Sequence, residues 1–246
     1  MSTIPSLEQL LEAGVHFGHR PSRWHPKMAP FIFGKRSDIH IIDLQKTQEQ
    51  LQKTGEFLKS LVARGGIVLF VGTKVQAKDA VKRAAQSCGM PYVTERWLGG
   101  TLTNFQEVKL IIKRFKMLRD QQEKGELRKY TKKEQIVLGR EIKEMEVKIG
   151  GIQDLARPPD AMFVVDIKTE MTAVEEATKL GVKVVALCDT NVNPGNIDYV
   201  IPANDDATKG IDLLCQTVAL MVNEGKASSL QLAAGSADVP MAVKTA

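Results

Sequence analysis

Four places in this 246-residue chain hold residue types able to do chemistry. VGTKVQ, residues 71–76, follows an apolar run and precedes a helical pattern. That is where doubly wound folds hold phosphates. A P-loop needs two glycines at fixed spacing and Lys-Ser or Lys-Thr after the second; here Gly72 stands alone and Val75 follows Lys74. A tight turn at Gly72 with Thr73 as helix cap explains the stretch without a ligand. CDTNVNPG carries Asp189, and ANDDATKG carries Asp205 and Asp206. Each segment follows a strand pattern, so these carboxylates should meet at one sheet edge. There they could hold a structural divalent cation or face a protein partner, or simply cap helices and turns. His16 and His19 are three apart, but Gly14, Gly18 and Pro21 crowd them, and no Cys-x-x-Cys or Gly-x-Ser-x-Gly occurs.

The third place is RWLGGTLTN, residues 96–104. Gly99 and Gly100 permit close backbone approach or positive φ. Thr103 or Asn104 can cap the helix that follows, and its N–H groups, with Arg96 beside them, suit a phosphate. Trp97 serves equally well as core.

The fourth is HFGHRPSRWHPKMAPFIFGKR, residues 16–36. It has three histidines, five Lys or Arg, four aromatics, three prolines and no acid. Proline and glycine should keep it extended. Arg20, Arg23, Lys27, Lys35 and Arg36 can pair with phosphates. Phe17, Trp24, Phe31 and Phe33 can stack on bases or anchor the segment. His16, His19 and His25 can donate to phosphate or 2′-hydroxyl groups. Basic–aromatic segments of this kind suit folded RNA.

Charge supports a polyanion partner. Residues 1–149 sum to +11 and residues 150–246 to −6, although the whole chain is only +5. The acidic part suits a protein neighbour. The N-terminus has no signal-peptide pattern, the apolar runs are too short to span a bilayer, and three scattered cysteines fit a reducing compartment.

These groups must be positioned by an alternation of helix and strand. SLEQLLEAG reads as a capped helix, HIIDL as a strand and residues 45–64 as a helix. IVLFV is a buried strand, residues 75–88 a helix stopped by Gly89, and PYVT a short strand. MFVVDI, TAVEEATKLG, VKVVALC, DYVI and residues 205–224 continue the rhythm. The pattern means a flavodoxin- or Rossmann-like α/β fold, a parallel sheet flanked by helices. Residues 105–149 break it. Phe105, Val108, Ile112 and Phe115, then Leu138, Ile142, Met145 and Ile149, form narrow seams, and Thr131 with Glu134 makes a capping box. An inserted, protruding antiparallel coiled-coil α-hairpin is expected, with Lys109 and Lys113 among its cations. The expected division is 1–104 with 150–225 as the α/β domain, 105–149 as hairpin and 226–246 as a flexible tail.

In order along the chain, LLEAGVHFGHRPSRWHPKMAPFIFGKRSDIHIIDLQKT, IVLFVGTK, RWLGGTLTN, YTKKE, IGGI, PDAMFVVD and DTN with IPANDDA resemble the bacterial-type small-subunit ribosomal protein S2 family, from about Leu10 to Gly225. Plastid members look similar. ARPP, 156–159, departs from the Gly-Leu-Pro type of turn common there. The resemblance implies a non-catalytic constituent of the small ribosomal subunit. It implies contacts with small-subunit rRNA and neighbouring ribosomal proteins, among them the large mRNA-capturing one, in the cytoplasm or a plastid stroma. Residues 16–36 and 96–104 are the segments where such contacts are expected; no cofactor is implied. The alternative is a Rossmann-like phosphosugar or nucleotide-binding enzyme using Thr73, Lys74 and Asp189.

Overall fold

The computed structural model describes residues 4–236, with side chains as far as Ser229. Five parallel strands form the sheet: β3 (Val68–Val71), β4 (Tyr92–Val93), β5 (Ala161–Val165), β6 (Lys183–Cys188) and β7 (Tyr199–Pro202), in the order β4-β3-β5-β6-β7. This is the flavodoxin-like doubly wound order.

Alternation of side chains at period two sends each strand's residues to opposite faces. Phe70, Phe163, Val185 and Leu187 face one core. It is covered by α2 (Leu44–Ala63), α3 (Lys78–Ser87) and α7 (Thr208–Ser236), with Leu10 from α1 (Leu7–Glu12). Leu69, Val71, Met162, Val164, Val184 and Ala186 face the other. Its cover is α6 (Met171–Leu180), Met28, and apolar residues of α4 (Phe105–Glu123) and α5 (Lys132–Ile149). Every residue of β3 and β5 is buried, the signature of a sheet covered on both sides. All three cysteines are buried and unpaired.

The crossover from β4 to β5 carries the expected helical hairpin. Phe115 and Ile112 of α4 and Ile142 and Ile149 of α5 are buried, Leu138 and Met145 partly so. Arg114 Nη2 reaches Glu141 Oε1 across the pair at 2.7 Å. Thr131 and Glu134 form the capping box.

Two expectations change. The arm is not simply extended. Pro21–Arg23 and Pro26–Phe31 are 3-10 turns, each opened by a proline whose fixed φ suits the first helical position. Beyond them β1 (Ile32–Arg36) pairs antiparallel with β2 (Ile39–Ile42), outside the main sheet. Ser37 and Asp38, both at positive φ (48° and 59°), make its two-residue turn.

The last helix also does not stop at Gly225. It runs to Ser236, through the first part of the segment expected to be a flexible tail; residues 237–246 lie outside the described residues. Gly225 instead lets α7 approach α2: a Cβ there would lie 2.8 Å from the Lys59 carbonyl oxygen and 3.0 Å from its Cα.

Replacing Gly225 with alanine therefore destabilises the protein, by about 1–3 kcal/mol from overpacking, against roughly 1 kcal/mol of helix propensity gained. Gly139→Ala in α5, where a Cβ meets nothing within 4 Å, stabilises by up to about 1 kcal/mol. Urea midpoints of the two variants should move in opposite directions.

Candidate nucleic-acid interface

The C-terminal ends of the strands place Gly72–Lys74, Asp166, Asp189 and Asn204–Asp206 along one edge, the usual ligand site of this fold. Here the edge is filled by the chain itself. Lys74 Nζ lies 2.7 Å from Asp205 Oδ1, 2.6 Å from Asp206 Oδ1 and 3.5 Å from Asp166 Oδ2. Thr73 N–H donates to Glu170 at 2.7 Å. The expected convergence of Asp205 and Asp206 occurs, but on an ammonium. Among the described residues no set of three or more His, Cys, Asp or Glu side chains is arranged to hold a metal ion.

The arm crosses this edge. Gly18 N–H donates to the His40 carbonyl, His19 N–H to Thr190 Oγ1 (2.9 Å) and His25 N–H to the Thr190 carbonyl (2.8 Å). Gly18 is required, because a Cβ would sit 2.7 Å from the Thr190 methyl carbon. His19 Nδ1 lies 3.0 Å from Asp189 Oδ2, and Nε2 3.7 Å from Asp206 Oδ2.

These contacts set the protonation states. Hydrogen bonding to Asp189 raises the His19 pKa, burial opposes it, and the charges of Asp189, Asp205 and Asp206 add to the rise. Burial, with Asp166 and Asp189 nearby, pushes Asp205 up to about 6 although Lys74 pulls the other way. Lys74 is held protonated: burial works against its charge, but its bonds to Asp205 and Asp206 more than offset this. Asp189 and Asp205 are 1% and 2% exposed, so of the three aspartates only Asp206 faces solvent for a partner.

RWLGGTLTN is also internally committed. Glu176 of α6, 5% exposed, accepts from Trp97 Nε1 (3.0 Å), Gly100 N (2.7 Å), Leu102 N (2.9 Å), Thr103 N (3.1 Å) and Thr103 Oγ1 (3.2 Å). Burial raises the Glu176 pKa, but those bonds outweigh it and the net shift is downward. The amides expected to seat a phosphate thus already hold a carboxylate. Asn104 stands at the N-cap of α4 without a side-chain cap bond. Gly100 uses its freedom, at φ 91°. Gly99 and Arg96 are exposed.

What remains open is cationic and aromatic. Arg20, Arg23, Lys27 and Arg36 in the arm, Arg96, and Lys109 and Lys113 on α4 have no carboxylate partner among the described residues. All are exposed except Lys109, whose ammonium sits 5.1 Å above the Phe105 ring. Lys35 pairs with Asp38 at 2.7 Å. Phe33 is 79%, Phe17 47% and Trp24 37% exposed, whereas Trp97 and Met28 are buried. His16 is half-buried against Phe17, with ring centroids 4.0 Å apart. Arg20 and Arg23, with His19, Asn204 and Asp206, line a cleft of about 410 Å³.

Sequence reasoning placed the turn of the hairpin at EKGELRKY, residues 123–130, where it is found, but did not count the cations around it among the site residues. Arg128, Lys129, Lys132 and Lys133 are exposed there without acidic partners among the described residues, around Tyr130, whose ring lies 5.3 Å from Lys129 Nζ. The run RKYTKK is plain in the sequence, but by pattern alone it is only a connector. Glu176 gave no local signal, since its five donors are more than 70 residues away in sequence.

Residues 10–225 match the model of the Ribosomal protein S2 family. No helix among the described residues is long and apolar enough to cross a membrane.

Asp189→Asn should lower the His19 pKa. In the parent, the stabilisation from His19 is complete below the unfolded histidine value of about 6.5 and is lost as pH rises through the higher folded value. Histidine ring NMR titrations of parent and variant test this, and an unmoved His19 titration would show that Asp189 does not control it.

Proposed function

Because the chain belongs to the Ribosomal protein S2 family, non-catalytic structural constituents of the small ribosomal subunit that serve translation, we propose that it grips small-subunit rRNA with two surfaces, the arm and the α-hairpin. The observation that supports this is the division of charge. At the sheet edge Lys74 is spent on internal carboxylates, while Arg20, Arg23, Lys27 and Arg36 of the arm, Arg96, and Lys109, Lys113, Arg128, Lys129, Lys132 and Lys133 of the hairpin have no carboxylate partner among the described residues and are mostly exposed. Unpaired cations are available to phosphates without first breaking an internal bond. Exposed Phe17, Trp24, Phe33 and Tyr130 stand among them, where unstacked bases or sugars can pack.

In this reading Arg20, Arg23, Lys27, Arg36, Arg96, Lys109 and Lys113 contact phosphates, joined by Arg128, Lys129, Lys132 and Lys133. His16 and His19, half-buried at the start of the arm, hold its shape rather than reaching RNA. Trp97, Gly100, Thr103 and Asn104 shape the entry to the hairpin, and Gly99 allows RNA to approach it. Exposed acids of the C-terminal part, Asp206 among them, offer the face for neighbouring ribosomal proteins, the large mRNA-capturing one among them. The place of action is the small subunit, in the cytoplasm or a plastid stroma.

An enzymatic use of Thr73, Lys74 and Asp189 does not survive. The Thr73 amide, the Lys74 ammonium and the Asp189 carboxylate are each engaged within the protein, and the family is non-catalytic.

Counterion release makes the expected affinity for rRNA fall steeply between about 50 and 200 mM salt. Neutralising Arg128, Lys129, Lys132 and Lys133 together should flatten the slope of log affinity against log salt by roughly three, at about 0.7–0.9 for each phosphate no longer neutralised by the protein. Filter binding with small-subunit rRNA measures both, and a salt-independent affinity would refute the electrostatic grip. Arg23→Ala with Arg96→Ala should reduce incorporation into small subunits, read on a density gradient, while thermal unfolding of the free protein stays unchanged.

A further inference from the structure

We infer that Glu176 is a positioning residue: an internal anion that fixes the bearing of the α-hairpin on the sheet domain and so the alignment of its RNA-facing cations. The inference rests on the reading that the hairpin carries rRNA contacts.

The hairpin joins the domain at two places. Its exit, at Ile149–Ile152, is sterically fixed. Gly151 lies against β4 so closely that a Cβ would be 2.2 Å from the Tyr92 carbonyl oxygen, and Ile149 and Ile152 are buried. Its entry, residues 97–104, also buries Trp97 and Leu102, but no backbone contact as close as that at Gly151 pins its glycines. Gly99 has nothing within 4 Å of a built Cβ, and α4 has no side-chain cap. What ties the polar groups of the entry together is the carboxylate of Glu176, a residue on a different element. It gathers the Trp97 indole, three backbone amides and the Thr103 hydroxyl into one nest.

Donors converging on one point repel each other unless an anion sits among them. Remove the carboxylate and the entry loop loses the charge that organises it, while the apolar contacts of the hairpin base remain. The hairpin then samples orientations in which its cations no longer match the RNA, and apparent affinity falls with the population of the competent one. A vacated nest also keeps its preference for a small anion. That separates this role from simple packing: formate should restore what loss of Glu176 removes, and a purely steric contact would not respond.

The experiment uses the full chain carrying Glu176→Ala. Expected are faster hydrogen exchange at Gly100, Leu102, Thr103 and the first turn of α4, with protection of β3, β5 and β6 unchanged. Affinity for small-subunit rRNA should fall about tenfold, as when the competent fraction drops to a tenth. Replacing chloride by formate at constant ionic strength should reverse both changes in the variant and neither in the parent. Unchanged exchange at the entry, or losses that formate does not reverse, would overturn the inference. If Glu176→Ala does not fold, Glu176→Gln is read by exchange and affinity against Glu176→Asp. Loss in the amide variant and retention in the shorter acid support the anion, and equal behaviour of the two overturns it. If the parent itself binds no rRNA, the RNA reading fails, while exchange and formate response still decide whether Glu176 holds the hairpin.

Discussion

A parallel sheet buried on both faces must be covered twice, and this requirement shapes the rest of the molecule. On one face the cover is regular, with α2, α3 and α7 laid over Phe70, Phe163, Val185 and Leu187. On the other, α6 is the ordinary crossover helix, and the cover is completed by Phe105, Val108, Ile112 and Ile149 of the hairpin and by Met28 of the arm. Burial of such side chains is worth about 1.5–3 kcal/mol each. The hairpin and the arm are therefore parts of the core that extend outward. Each is anchored by its apolar end and presents its charged remainder to solvent.

The same burial decides where polar groups can go. A charge taken from water needs a partner. Two internal devices answer this with opposite signs. Lys74 sits among the carboxylates of Asp166, Asp205 and Asp206, and Glu176 sits among five donors. Both occupy positions where a related architecture would take a ligand: the strand ends and a glycine-rich helix entry. The compensation at the strand ends is incomplete. Asp205 is pushed up to about 6 even with Lys74 bonded to it, because burial and the neighbouring Asp166 and Asp189 oppose its ionisation. With these sites filled from within, the charge left for a partner is that of the arm and the hairpin.

What was legible in the sequence follows from the range of the forces involved. Strands and helices were readable because period-two and 3.6-residue patterns are local, and so were the caps at Ser6 and Thr131, whose partners lie three residues on. The hairpin seam was readable for the same reason. The pairing of Ile39–Ile42 with the arm rather than the main sheet was not, since a short apolar run carries no label for its partner. Gly225 looked like a helix stop because glycine commonly is one. Its actual task, admitting the Lys59 backbone, depends on a helix crossing that no local pattern encodes. Among the site residues, exposure sorted the candidates. Arg20, Arg23 and Arg36 are free on the surface, whereas Trp97, Asp189 and Asp205 are spent inside.

The arm shows how one segment serves core and surface together. Met28 is fully buried and Phe31 packs partly against the same cluster, so the middle of the arm is an anchor. Phe33, two residues on, is 79% exposed on β1, and Phe17 and Trp24 are 47% and 37% exposed. A single exposed ring is ordinary on a protein surface. Three rings interleaved with Arg20, Arg23, Lys27 and Arg36, in a segment with no acid from 16 to 36, are a different matter. The cations keep the rings hydrated and apart from other copies of the chain, since like charges repel. A polyanion removes that repulsion and offers stacking faces at the same moment. In the proposed reading the segment therefore suits a partner that offers negative charge and stacking faces together, as folded RNA does.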